Sequence, residues 1–124
     1  MRVFKTRVFD RFVREERIDD EVLCAAIARA ERGLIDADLG GGVIKQRVAR
    51  PGQGRSGGYR TLIALRSGTR AVFLYGFAKS DRDNVRGDEL RELRSTAQEM
   101  LAWDQRKVDV MLATGAWTEI DCDD

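Results

Sequence analysis

The chain has 124 residues, 43% of them apolar and 35% charged, which suits one domain with a densely charged surface. Its net charge is +1 and it holds no histidine, so a Ser-His-Asp triad, a Cys-His dyad and a His-ligated zinc are excluded for this chain alone. Two cysteines cannot form a four-Cys zinc site; Cys24 falls in a helical pattern and Cys122 in the tail, so no disulfide framework is expected and a reducing cytoplasm is the expected location. No apolar run is long enough to cross a membrane and the N-terminus lacks a signal-peptide core, so no membrane partner is expected.

In chain order, Val3 to Arg7 reads as a short strand, and Phe9, Phe12 and Val13 follow at helical spacing to about Glu16. Asp19 or Asp20 is placed to cap a second helix, whose apolar face is Val22, Leu23, Ala26, Ile27 and Ala30. Gly33 is placed to stop it in a left-handed conformation. Gly40, Gly41 and Gly42 make a turn, after which Val43 to Arg50 alternates as a strand and sets Lys45 and Arg47 on one face. Pro51 ends that strand. Gly52 to Gly58 is a glycine-rich loop carrying Arg55 and Ser56. Tyr59 to Arg66 and Arg70 to Phe77 read as two more strands joined by Ser67-Gly68-Thr69, the second continuously apolar at its start and hence central. Three strands with short links imply an antiparallel meander. Asp88 is placed to cap a long helix bearing Leu90, Leu93, Ala97, Met100 and Leu101; Val108, Met111 and Leu112 mark a last helix, and Trp117 to Ile120 a final short strand before an acidic tail.

Charge is unevenly spread. Leu39 to Ser80 carries Lys45, Arg47, Arg50, Arg55, Arg60, Arg66, Arg70 and Lys79 and has no Asp or Glu, so every acidic residue flanks this cationic centre. Such a block attracts polyanions, unless acids from the flanking helices neutralise it. Lys45, Arg47, Arg60 and Lys79 can converge at one end of the meander, with Arg55 on the loop above. Guanidinium groups hold phosphate through paired hydrogen bonds, and fixed cations stabilise a pentacovalent phosphorane. The glycine loop is not a P-loop: Arg55 stands in place of its lysine, Ala49 in place of its first glycine, and a strand follows where a helix is needed. Tyr59 can stack on an unpaired base or pack in the core. Tyr75 reads as packing in or beside the central strand, with its hydroxyl satisfied.

Three segments carry a family resemblance: Leu39-Gly40-Gly41-Gly42-Val43-Ile44-Lys45-Gln46-Arg47, Gly52-Gln53-Gly54-Arg55-Ser56-Gly57-Gly58-Tyr59-Arg60, and Val72-Phe73-Leu74-Tyr75-Gly76-Phe77-Ala78-Lys79-Ser80. They resemble the RelE/HigB-type toxins of bacterial type II toxin–antitoxin pairs, in the RelE/ParE superfamily. The resemblance implies a compact α+β fold, with N-terminal helices packed on a mainly antiparallel sheet and C-terminal helices following. The resemblance runs from about Phe4 to Ala102, and the chain reads as one RelE-like toxin domain over residues 1–120 with an acidic tail at 121–124. It also implies a metal-free, cofactor-free, ribosome-dependent endoribonuclease, an mRNA interferase, partnered by the ribosome, mRNA and a cognate antitoxin of helix-turn-helix type. By position, Lys45 and Arg47 match the paired basic residues of the family's second strand, and Lys45 is the better general base because arginine stays protonated. Arg60 matches the phosphate-binding arginine, Lys79 and Arg82 a basic cluster after the last main strand, and Arg50, Arg55 and Tyr59 are auxiliary RNA contacts. The chain departs from better-known members by showing Ser80 and Arg86 where they carry a general acid. The alternative is a non-catalytic protein on the same scaffold, such as a gyrase inhibitor of the ParE branch or a regulatory partner of a DNA-binding antitoxin.

Overall fold

A computed structural model describes residues 1–50, 58–78 and 86–122. Their elements run β1 (Arg2–Thr6), α1 (Arg7–Glu16), α2 (Asp20–Glu31), β2 (Ala37–Gly40), β3 (Val43–Val48), β4 (Tyr59–Arg66), β5 (Arg70–Ala78), α3 (Gly87–Ala102), α4 (Gln105–Ala113) and β6 (Trp117–Ile120). The strands form one sheet in the order β2-β3-β4-β5-β1-β6. The meander β3-β4-β5 is antiparallel as the turn residues require, and β5 is an interior strand. The pairing of β1 with β5 is parallel, so the α+β sheet is mainly, not wholly, antiparallel.

The sheet buries both faces, which is why β4 and β5 read as near-continuous apolar runs. On one face Val3, Ile44, Val48, Tyr59, Ile63, Ala71 and Phe73 pack against Phe9 and Val13 of α1 and Leu23, Ala26, Ile27 and Ala30 of α2. On the other, Phe4, Val43, Leu62, Ala64, Val72 and Leu74 meet Leu93, Ala97, Met100 and Leu101 of α3 and Val108 of α4. Burying these side chains is the main driving force for the fold, at about 25 cal/mol per Å² of apolar surface.

Local chemistry sets the ends of the elements. The Thr6 hydroxyl accepts from the amide of Phe9 at 3.1 Å and donates to the carbonyl of Leu74 at 3.1 Å, so β1 passes into α1 with no intervening loop. Gly33 adopts φ +81°, and the amides of Gly33 and Leu34 close on the carbonyls of Ala30 and Arg29, a left-handed helix stop of the expected kind. Asp19 holds the N-cap position of α2 without a side-chain capping bond. The N-cap of α3 is Arg86 and not Asp88: its backbone amide donates to Glu89 Oε1 at 3.2 Å, and Asp88 lies inside the first turn, where a negative charge suits the helix dipole.

Two expectations are corrected here. Gly40, expected in the glycine turn, ends a strand, β2, that the sequence does not announce, because four residues with only Ala37 and Leu39 apolar carry too little pattern. The second correction is chemical: Cys24 and Cys122 form a disulfide. Their separation of 98 residues concealed the pairing. Antiparallel pairing of β6 with β1 brings Ile120 beside Val3, and both cysteines pack against the core cluster on the α2 side.

Candidate functional site

The candidate cations are set by how β3 is anchored. Gln46 is fully buried, donates to the carbonyls of Ala26 at 3.0 Å and Leu34 at 3.2 Å, and accepts from the amide of Asp36 at 2.8 Å. The Asp36 carboxylate accepts from the amide of Arg47 at 2.6 Å, and Thr61 on β4 donates to the carbonyl of Gln46 at 2.9 Å. A one-residue slip would invert every side chain of the strand, so these bonds fix the face on which Lys45 and Arg47 stand. It is the α3 face, shared with Val43.

Cross-strand register then assembles two rows. Lys45 pairs with Leu62, and Leu62 with Tyr75; Arg47 pairs with Arg60, and Arg60 with Phe77. Arg47 and Arg60 therefore stand directly opposite each other, an arrangement that costs energy when nothing negative lies between them. Arg47 is exposed and Lys45 half-buried. Arg60 is only 4% exposed, and its Nη1 is buried with no hydrogen-bond partner among the described residues. Among the described residues, no carboxylate forms an ion pair with Arg47, Arg50 or Arg60. The acids are engaged elsewhere: Asp10 with Lys5 and Arg14, Glu16 with Tyr59, Glu119 with Arg2, and Asp88 and Glu89 with Arg86. Among the described residues, neutralisation by flanking acids does not account for these three arginines. A buried guanidinium nitrogen without an acceptor costs free energy that a phosphate oxygen would recover.

Comparison with known families decides the ancestry of this arrangement: the family described as RelE toxin of the RelE/RelB toxin–antitoxin system matches residues 1–120. The chain belongs to the RelE toxin family. No curated protein matches it significantly. As a RelE-family protein it is a toxin of a toxin–antitoxin system, and a cognate antitoxin is its partner.

The remaining candidate residues of this RelE-family toxin divide three ways. Arg55, Lys79 and Arg82 lie outside the described residues. Arg50 sits with its guanidinium carbon 5.4 Å from the centroid of the Tyr59 ring, a cation–π contact. Tyr59 itself is corrected. It is 2% exposed, lies on the α1 face opposite the cation rows, meets Phe12 edge-on at 5.2 Å, and donates its hydroxyl to Glu16 Oε1 at 2.6 Å. Burial first, and then the bond to Glu16, holds its phenol above the ordinary tyrosine range. It packs the core and offers no ring face to a base. Gly58, before it in the motif, is needed for close approach: a Cβ there would stand 2.1 Å from the carbonyl oxygen of Val48. Arg70, counted in the cationic block, closes the end of α3 through the carbonyls of Met100 at 2.7 Å and Trp103 at 3.0 Å.

Tyr75 was expected to pack; it is 46% exposed. The register shifts between Leu62 and Ile63, leaving Leu74 as an extra residue in β5. This β-bulge breaks strict alternation, so Leu74 packs in the α3-side core while Tyr75, the next residue, pairs with Leu62 on that side. Tyr75 and Phe77 then line a groove of about 420 Å³ between the sheet and α3, with Glu89, Glu92 and Thr96 on its helical wall. Sequence reasoning missed this groove because nothing in the residues of β5 marks the bulge.

Proposed function

We propose that this RelE-family toxin is a ribosome-dependent mRNA endonuclease acting in the cytoplasm on the codon presented in the decoding site. The observation that carries the reading is the unpartnered Arg60 Nη1 beneath a face that also carries Lys45 and Arg47. In the proposed reaction the ribose 2′-oxygen attacks the adjacent phosphorus and the bond from phosphorus to the 5′-oxygen breaks. The products are a 2′,3′-cyclic phosphate and a free 5′-hydroxyl. Lys45 serves as the base for the 2′-hydroxyl proton, on the same strand face as Arg47. Arg47 and Arg60 hold the non-bridging oxygens and stabilise the charge that grows on the phosphorane. Lys79 serves the leaving oxygen, and Arg50, Arg55 and Arg82 steer the RNA backbone. A phosphate that reaches Arg60 must displace what covers it, which suits a site completed only on the ribosome.

The test is induced expression of the wild type and Arg60→Ala in bacteria, with mRNA 5′ ends mapped after growth arrest. Cuts within translated frames that disappear in the variant are expected. Arrest without cuts would overturn the endonuclease reading in favour of a non-catalytic target such as gyrase.

A further inference from the structure

We infer that the groove between β5 and α3 is a nucleobase pocket that favours guanine, so that the toxin reads base identity through Tyr75 and Glu92. This rests on the reading of the cation face as the RNA site. The register makes the two features continuous: Arg60 neighbours Phe77, and Lys45 lies two strands from Tyr75 in the same row. Adjacent strands are about 5 Å apart, so a phosphate over Arg60 leaves its nucleoside to fall across β5. Tyr75 and Phe77 are the aromatic residues there, and aromatic faces are the usual platforms for unstacked RNA bases. The rest of the floor is apolar, from Leu62, Leu74 and Leu93.

The helical wall supplies the discrimination. Glu89 is held in the first turn of α3 by Arg86, whose amide lies 3.2 Å and Nε 3.3 Å from its Oε1. Glu92, three residues on and exposed, faces the same groove. A carboxylate repels phosphate, so this wall cannot serve the backbone. It can accept from a base edge. Guanine offers two adjacent donors, N1–H and N2–H, which match two carboxylate oxygens. Cytosine and adenine offer an amino group, and uracil offers one N–H flanked by carbonyls that the carboxylate repels. The order expected is guanine first, the amino-bearing bases next and uracil last.

The test needs no ribosome. Amide spectra of the free protein, isotopically labelled, are titrated with GMP and with UMP. Shifts at Tyr75, Phe77, Leu93 and Thr96 are expected, with GMP saturating at about one tenth the concentration of UMP. Glu92→Gln should narrow that ratio toward one, and Tyr75→Ala should weaken both nucleotides; both side chains are exposed, so both variants should fold. Shifts confined to β3 and β4, equal response to the two nucleotides, or a groove that responds only to an antitoxin peptide would each overturn the proposal. Codon mapping separates the two claims. A groove that selects GMP in a protein that cuts no mRNA leaves the pocket standing and the endonuclease reading fallen. Cleavage whose base preference is unchanged in Glu92→Gln has the opposite meaning.

Discussion

Two charge clusters on opposite faces of the sheet are built in opposite ways. On the α1/α2 face, Lys5 and Asp10 are both nearly buried and meet at 2.9 Å, Arg14 closes on Asp10 from the next turn, and Tyr59 meets Glu16 at 2.6 Å. On the α3 face, among the described residues, Arg47 and Arg60 face each other with no carboxylate paired to either, and both buried side-chain atoms that lack a partner, Arg60 Nη1 and Trp117 Nε1, belong to residues on this side. The first cluster is completed by the chain itself; the second holds Arg60 Nη1 with no acceptor among the described residues, and it lies on the face on which the RelE toxin reading places RNA. Mutations should therefore separate: changes on the first face cost stability, and changes on the second cost activity.

The largest effect is expected from the disulfide, which ties α2 to the end of the chain on the self-completed side. Closing a loop of 98 residues restricts the unfolded chain, so reduction, or Cys24→Ser, should lower stability by about 4 kcal/mol. Denaturant titration with and without reductant measures it. Equal midpoints would mean that the bond does not form in solution.

Next is Lys5→Met. It leaves Asp10 buried with only Arg14 as a partner and should cost about 3 kcal/mol, while cleavage per folded molecule stays unchanged. The pH dependence has the same origin. Burial pushes the Asp10 carboxyl up, but the bonds from Lys5 and Arg14 together hold it below the ordinary carboxylate range. A lowered folded value adds stability above the unfolded value, and that stability is lost as pH falls through the folded one. Wild type should lose more stability on acidification than Asp10→Asn; parallel acid titrations of the two would remove this account.

Arg60→Met should show the reverse pattern. Cleavage should fall by about two orders of magnitude, as when one donor to a charged transition state is removed. Thermal stability should hold or rise, because a buried charge without a partner leaves the core. A variant that unfolds at lower temperature and cuts normally when folded would make Arg60 a structural residue and end the comparison of faces.

Much of this division was legible in the residues. Alternation in Val43 to Arg50 set Lys45 and Arg47 on one face, and the short links between three successive strands implied their antiparallel pairing. Legibility failed where three-dimensional closure decides. Gln46 read as an ordinary polar position, yet it is the buried anchor of β3, because its partners at Ala26 and Leu34 come from elsewhere in the fold. Tyr75 read as packed, since no local signal announces the bulge at Leu74 that turns it toward the groove. Cys24 and Cys122 are joined only once β6 lies beside β1. Tyr59 and Arg60 are adjacent in a motif that reads as one functional unit, but adjacency along a strand places them on opposite faces.

That last pair gives the smallest effect and the sharpest test of the comparison. Tyr59→Phe keeps the ring against Phe12 and removes only the hydroxyl bonded to Glu16. The expected cost is about 1 kcal/mol of stability, the value of one part-buried hydrogen bond. The phenol is held above its ordinary range, so its contribution is full below the unfolded value and fades as pH rises through the folded one; wild type and variant should converge in strong alkali. Cleavage should not change, because the sheet lies between this hydroxyl and any RNA on the α3 side. A fall in cleavage with stability intact would mean that the Gly58-Tyr59-Arg60 motif acts as a unit through the sheet, and the division of labour between the faces would have to be abandoned.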